Sequence, residues 1–283
     1  MFFSNRDISV IFTMDLSGSM AFSNREENKK IFLCFYDACI ISNVAFQPNE
    51  RLVYNLYYNC KLIWIPTGEV IFTIKDSKTY YEIKATGKTY RACENNFKVN
   101  DYFGSKVDKK SLFPSNIVRI VEEGNYKLYN SISFDQSRNT ALSFQGKSKN
   151  KTKIQLHHLD QCMQDKVSNF NIMRNISTDV LKKGDHSGVK MFFDIEMFPI
   201  NVSFIDKKKK NLKSLGIFYT LKFVPDVVEG NVFKKGDHMT LWVCDDKNHF
   251  PLMIEYPVSF GSIKAVLLSQ TRLKHPLDAI IDN

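Results

Sequence analysis

No apolar run in this chain of 283 residues approaches the ~18 residues of a membrane-crossing helix, which excludes a transmembrane helical segment. No two of its six cysteines stand in a C-x-x-C spacing. Cys34 and Cys39 have no second Cys pair or His-x-His to complete a zinc site, so the cysteines imply no metal. The chain also has no G-x-S-x-G, H-E-x-x-H, G-x-G-x-x-G or phosphate-binding loop motif, and the chemistries that depend on them have no foothold here. The basic residues are not gathered on one helix or strand face with interleaved aromatics, the arrangement a nucleic-acid binder needs. No cofactor and no nucleic-acid partner is expected.

What is present points to a folded, strand-rich chain. Hydrophobic residues make up 43% and charged residues 24%, which places it among globular proteins. Aromatics reach 13%, with 23 Phe and 12 Tyr, and these residues favour strands. The net charge of +9 falls mostly at Lys109-Lys110, Lys147 to Lys153 and Lys207 to Lys210. Short lysine runs of this kind are solvated turns or a means of attraction to an anionic surface.

Period-2 alternation marks the strands. From Arg51, the residues Leu52, Tyr54, Leu56, Tyr58, Cys60 and Leu62 share one face, while Arg51, Asn55, Asn59 and Lys61 share the other, as in a half-buried strand. Lys234 to His238 (KKGDH) leads into a strand, an acidic turn at Asp245-Asp246 and a return strand from Phe250-Pro251. Lys182 to His186 repeats the same five letters before Asp194-Ile195-Glu196 and Phe198-Pro199. Further strands are expected at Lys88 to Ala92 and Asn96 to Val99. Helical spacing of Leu159, Met163, Val167 and Phe170, with Asp160 as cap, predicts one amphipathic helix over about 159–175. Its Met residues fit a core or a pocket wall. The expected fold is mostly β: a large antiparallel sheet curled into a barrel or roll, with that helix packed on it. Residues 1–43 read as an N-terminal arm or degenerate export signal. Residues 44–276 read as one β domain, its halves divided by loop 146–153, and residues 277–283 as a tail.

Candidate chemistry is thin. Asp185-His186 and Asp237-His238 hold metal-ligand residue types, but Gly-Asp commonly builds turns. His157 and His158 alternate across a strand and cannot face one site. Asp245 and Asp246 are neighbours, whereas the carboxylates of a glycosidase face each other across a cleft.

The blocks YNLYYNCKLIWIPTGEV, ATGKTYRACENNFKVNDYFGSKVD, VEEGNYKLYNSISFD, TLKFVPDVVEGNVFKKGDHMTLWVCDDKNHFPLMIE and GSIKAVL resemble a bacterial exported family known as domain of unknown function 3108, over about residues 44–276. A weaker similarity, in the hairpin alone, is to periplasmic lipoprotein carriers whose half-barrels hold acyl chains. The resemblance implies a periplasmic or cell-envelope β protein with no established activity, and it supplies no catalytic or binding residues. Cys39 and Cys162 stand where the family tends to have Cys, and export implies that such a pair can be bridged. The expected function is non-catalytic: binding of a lipid or other apolar ligand in the hollow of the sheet, with Tyr54, Tyr58 and Trp64 as lining residues. A structural module for envelope polysaccharide or protein is the alternative, and an enzyme the third reading.

Overall fold

The computed structural model describes residues 31–34, 41–60, 63–95, 97–179, 181–225, 239–258 and 261–281. The first meander consists of β2 (Arg51–Cys60), β3 (Ile63–Asp76), β4 (Tyr80–Thr89), β5 (Asn100–Asp108), β6 (Pro114–Glu123), β7 (Tyr126–Asp135), β8 (Thr140–Ser148) and β9 (Lys151–His158). The second consists of β11 (His186–Phe193), β12 (Glu196–Leu212), β13 (Gly216–Pro225), β14 (Thr240–Cys244), β15 (Pro251–Val258) and β16 (Gly261–Thr271). Three short strands complete the set: β1 (Ile31–Cys34), β10 (Met163–Gln164) and β17 (Ile280–Ile281).

Each strand within a meander pairs antiparallel with the next, as the alternation predicts. β16 also pairs with β2, so the meanders join side by side into one sheet. Among the described residues only β1 and β10 run parallel to a neighbour, both along β11.

The sheet curls because its ladder is repeatedly interrupted. Register shifts occur at Leu56/Tyr57, Lys106/Val107, Phe204/Asp206, Trp242/Val243 and Leu267/Ser269, and each such bulge adds local twist and bend. The far ends of the sheet meet through side chains. Ile132, Phe134 and Ala141 of the first meander pack with Leu159, Met163 and Phe192, and Arg119 of β6 pairs with Asp194 in the β11–β12 turn. The result is a curled, open roll.

Two helices are described: α1 (Arg91–Glu94), a single turn where extended chain was expected, and α2 (Lys166–Ile172), continued by a 3-10 turn at Met173–Asn175. The helix expected over 159–175 is therefore shorter. Asp165, not Asp160, caps it, accepting from Val167 N at 2.7 Å and Ser168 N at 3.2 Å, while Ser168 Oγ accepts from Asp165 N at 2.9 Å. This reciprocal box satisfies two orphan helix-end donors at once. Asp160 instead pairs with Lys190 at 2.9 Å. Before the cap, Cys162 at φ 65 turns the chain, so Leu159 and Met163 are buried from extended backbone rather than from a helix face.

The helix sits in the concavity. Phe170 stacks on Phe72 at 4.2 Å between ring centroids, and Val167 and Ile172 join Phe46, Ile74, Ile83, Phe103 and Val121 in one apolar cluster. Of the two KKGDH copies, the first forms a turn at the start of β11, with Asp185 Oδ2 accepting from Lys182 N at 2.7 Å. The second lies outside the described residues. The hairpins that follow differ. The first turns in two residues, with Phe193 opposite Glu196, and the second in a longer loop closed by Cys244 N donating to Phe250 O. The lysine-rich stretch at 146–153 is the tip of the β8–β9 hairpin, with Gly146 opposite Thr152.

Candidate functional site

The site begins at a buried arginine. Arg174, at the end of the 3-10 turn, is 2% exposed and makes a two-pronged pair with Glu50, Nη1 to Oε1 at 2.5 Å and Nη2 to Oε2 at 3.0 Å. Its Nε donates to Asn248 O at 2.9 Å, and the remaining N–H groups reach Asn171 Oδ1 and Ala45 O. All five donors of the guanidinium are thereby used. The node fixes the end of the helix to the start of β2 and to the β14–β15 loop. The Arg174 carbonyl is 3.0 Å from His249 Nδ1, and His249 Nε2 is 3.1 Å from Thr178 Oγ1. Burial holds the His249 imidazole below its ordinary pKa, so it is neutral: Nδ1–H donates to the carbonyl and Nε2 accepts from the hydroxyl.

Above this node the helix and the second meander stand apart and leave a cavity. Counted out to its mouth it has an empty volume of about 980 Å³, while its clear interior channel is narrow, about 90 Å³. The helix side contributes Phe170, Met173 and Ile176, and the sheet side contributes Ile200, Phe204, Phe223, Leu241 and Val243. Period-2 alternation explains why these strands supply it: Leu241 and Val243 point in, with Trp242 between them pointing out. Asp185, His186 and Ser187 also line it, as do Arg174 and His249. The channel can exclude water and enclose a slender apolar group. Among the described residues no three His, Cys, Asp or Glu gather as metal ligands.

The residues expected to line the hollow are placed as follows. Tyr54 is buried on the inner face, and its hydroxyl donates to Pro251 O at 2.9 Å. Tyr58 is buried in the apolar cluster of Met191, Ile200 and Tyr256. Both pack inside the roll, but neither lines the cavity. Trp64 is half-buried, with the Lys264 ammonium 3.7 Å from its ring centroid. Cys162 is disulfide-bonded. Cys39 lies outside the described residues. The acidic neighbours are turn residues: Asp246 accepts from Asn248 N at 2.9 Å and Asp245 pairs with Lys207 at 3.1 Å.

The cavity residues carried one sequence signal, the methionines of the helical segment. Met173 lines the cavity, whereas Met163 is packed in core. The strand residues gave no signal, because an inward Val or Phe reads the same whether it meets a neighbour or a void.

No curated protein matches the chain. Among solved structures, it is similar to a β-barrel-like protein of domain of unknown function DUF1849 from Brucella abortus, at 8% identity and a TM-score of 0.53, over 81% of this chain and 99% of that one. That likeness is one of fold. A protein from Bacteroides fragilis described as exported, with a YmcC-like fold, has 11% identity and a TM-score of 0.32, over 82% of this chain and 100% of that one. Residues 53–268 match the model of the family described as protein of unknown function DUF3108, and the chain belongs to that family.

Proposed function

We propose that the protein is a non-catalytic binder of a single acyl chain or similar slender amphiphile, working in the cell envelope. The observation that carries this reading is the narrow channel between the helix and the second meander, walled by Phe170, Met173, Ile200, Phe204, Phe223 and Leu241. Its interior, about 90 Å³, is well below the range of about 300–1,000 Å³ for pockets that enclose a drug-sized ligand, so any longer occupant lies partly in the open mouth. The narrow interior favours a chain over a fused ring system. Each methylene removed from water contributes about 0.8 kcal/mol, so a chain of about ten gains roughly 8 kcal/mol, which corresponds to micromolar binding before ordering costs.

The envelope location is supported by the disulfide at Cys162, since such bonds persist in oxidising compartments. A non-catalytic role is supported by His249 in the cavity lining, whose two ring nitrogens are both engaged with protein. The test is native mass spectrometry of protein purified from its host's envelope fraction. A co-purifying lipid released on unfolding supports the reading. A single apo mass that takes up no added fatty acid counts against it.

A further inference from the structure

The far end of the first meander borders a second cavity. Its clear interior is about 630 Å³, within the range of about 300–1,000 Å³ for ligand pockets. It shares no lining residue with the channel beside the helix. Its wall is built on β7, β8 and β9, and Ile195 of the β11–β12 turn also lines it. Register sets the wall residues in rows. Asn130 of β7 stands opposite Gln145 of β8, which stands opposite Lys153 of β9. In the next row Ile132, Ser143 and Gln155 are aligned in the same way. Opposed residues of an antiparallel pair share a face. Asn130, Ile132 and Ser143 are buried, so both rows lie on the inner face. Lys147, at the bulge beyond Gln145, lines the cavity as well.

The lining is polar and cationic. It includes Ser143, Gln145, Lys147, Lys153 and Gln155, and it holds no carboxylate. Among the described residues neither Lys147 nor Lys153 forms an ion pair. Two carboxylates further in are engaged, Asp194 by Arg119 and Glu123 by Asp101. Glu196, beside Ile195 in the turn, is exposed and outside the lining. Lys127 also borders the cavity, but it alternates with buried Leu128 and stands opposite Glu122, so it is not part of the cluster. The polar groups are held in place. Gln145 Oε1 accepts from Asn130 Nδ2 at 2.9 Å, which leaves the Gln145 amide N–H groups for a ligand. Ser143 Oγ donates to Gln155 O at 3.3 Å and lies 2.8 Å from His157 Nε2. Amide side chains both donate and accept, as the hydroxyls of a sugar do. The two ammoniums favour an anion, and Tyr126, 46% exposed in the lining, offers an aromatic surface to a sugar ring. An acyl chain would gain little from such a wall.

We propose that this cavity is a second ligand site, for a short acidic saccharide. The site does not depend on the channel beside the helix being occupied. The test is isothermal titration calorimetry of the full chain with digalacturonate, against the neutral disaccharide lactose. Digalacturonate should bind saturably at one equivalent and more weakly as salt is raised, and lactose should bind at least tenfold more weakly. Lys147→Gln with Lys153→Gln should lower the digalacturonate affinity about tenfold and flatten its salt dependence. Gln155→Ala should lower it about fivefold and leave the salt dependence unchanged. Leu241→Trp, in the other cavity, should bind digalacturonate as the wild type does, so the two sites fail or stand separately. Circular dichroism of each variant checks that it is folded. Absence of saturable binding, equal affinity for lactose, or full affinity in the folded double-lysine variant overturns the proposal. Displacement of digalacturonate by millimolar inorganic phosphate at constant ionic strength would assign the lysines to a free anion, which also overturns it.

Discussion

Asp101 of β5 is 2% exposed and accepts from Glu122 N at 3.0 Å. Burial raises its pKa to about 6, against the opposing pull of that backbone hydrogen bond, one with the Glu123 side chain, and the Arg119 charge. A hydrogen bond between two carboxyl groups needs a proton on one of them. Because the folded-state pKa lies above the unfolded value of 3.8, the stabilisation is complete at low pH and is lost as pH rises through the folded value. The loss amounts to about 3 kcal/mol between roughly pH 4 and pH 6. Asp101→Asn keeps an acceptor for Glu122 N and removes the titration. The expected outcome is a higher melting temperature than wild type above about pH 7, and a flatter profile below it. A wild-type melting temperature that does not change across that window would remove this role from Asp101. A buried ion pair, Arg174 with Glu50, spans 124 residues of chain, and no local pattern announces such a pair. A lone arginine after an apolar helix reads as a surface residue until the fold brings Glu50 to it.

At the scale of elements, the β11–β12 turn carries backbone strain. Its central residues, Asp194 and Ile195, have φ of 47° and 62°, the paired positive values of a type I′ hairpin turn. Asp suits this conformation, and it is also held by Arg119. Ile, being β-branched, does not suit it, at a cost of about 1–2 kcal/mol. Ile195→Gly should therefore raise the urea midpoint by the equivalent of about 1 kcal/mol. An unchanged or lower midpoint would mean that the contacts of Ile195 with the β7–β8 strands outweigh its backbone strain. Elements were also the most legible scale. Period-2 alternation located β2 to within a residue or two, because a strand with one wet face must alternate. The helix was legible as a helix but not in length. The choice between Asp160 and Asp165 rests on Ser168 closing the capping box, and helical spacing of apolar residues further upstream masked that signal.

For the whole molecule, hairpin-length spacing made an antiparallel sheet legible, and curling follows from its size and its bulges. The pairing of β16 with β2 was not legible, since it closes a connection of some two hundred residues that no local rule addresses. The cavity is lined by residues between Asn169 and Ile254, away from that closure, and inward residues such as Phe223 and Leu241 carry no mark in the sequence that separates a cavity wall from packed core. The arm before Val44 bears on the same scale. Cys93 and Cys244 are free, whereas Cys162 is bonded. The β1 backbone ends beside Gly188, close to where β10 begins beside Lys190 on the same edge of β11. Peptide mapping without reductant should join Cys162 to a cysteine of that arm, Cys34 or Cys39. A loop of that length stabilises by about 4–5 kcal/mol in the chain-entropy model. A free Cys162 thiol, or a bond to Cys60, would contradict the placement of the arm.

The central claim is that the roll holds a slender apolar chain between its helix and its second meander, and titration with the fluorescent fatty acid cis-parinaric acid tests it most directly. Wild-type protein should bind one equivalent, saturably and at micromolar affinity, and unlabelled palmitate should displace the probe. Leu241→Trp, which fills the channel from the sheet side, should abolish that binding while the circular dichroism spectrum stays native. Non-saturable binding by the wild type, or equal binding by the folded Leu241→Trp variant, would contradict the account.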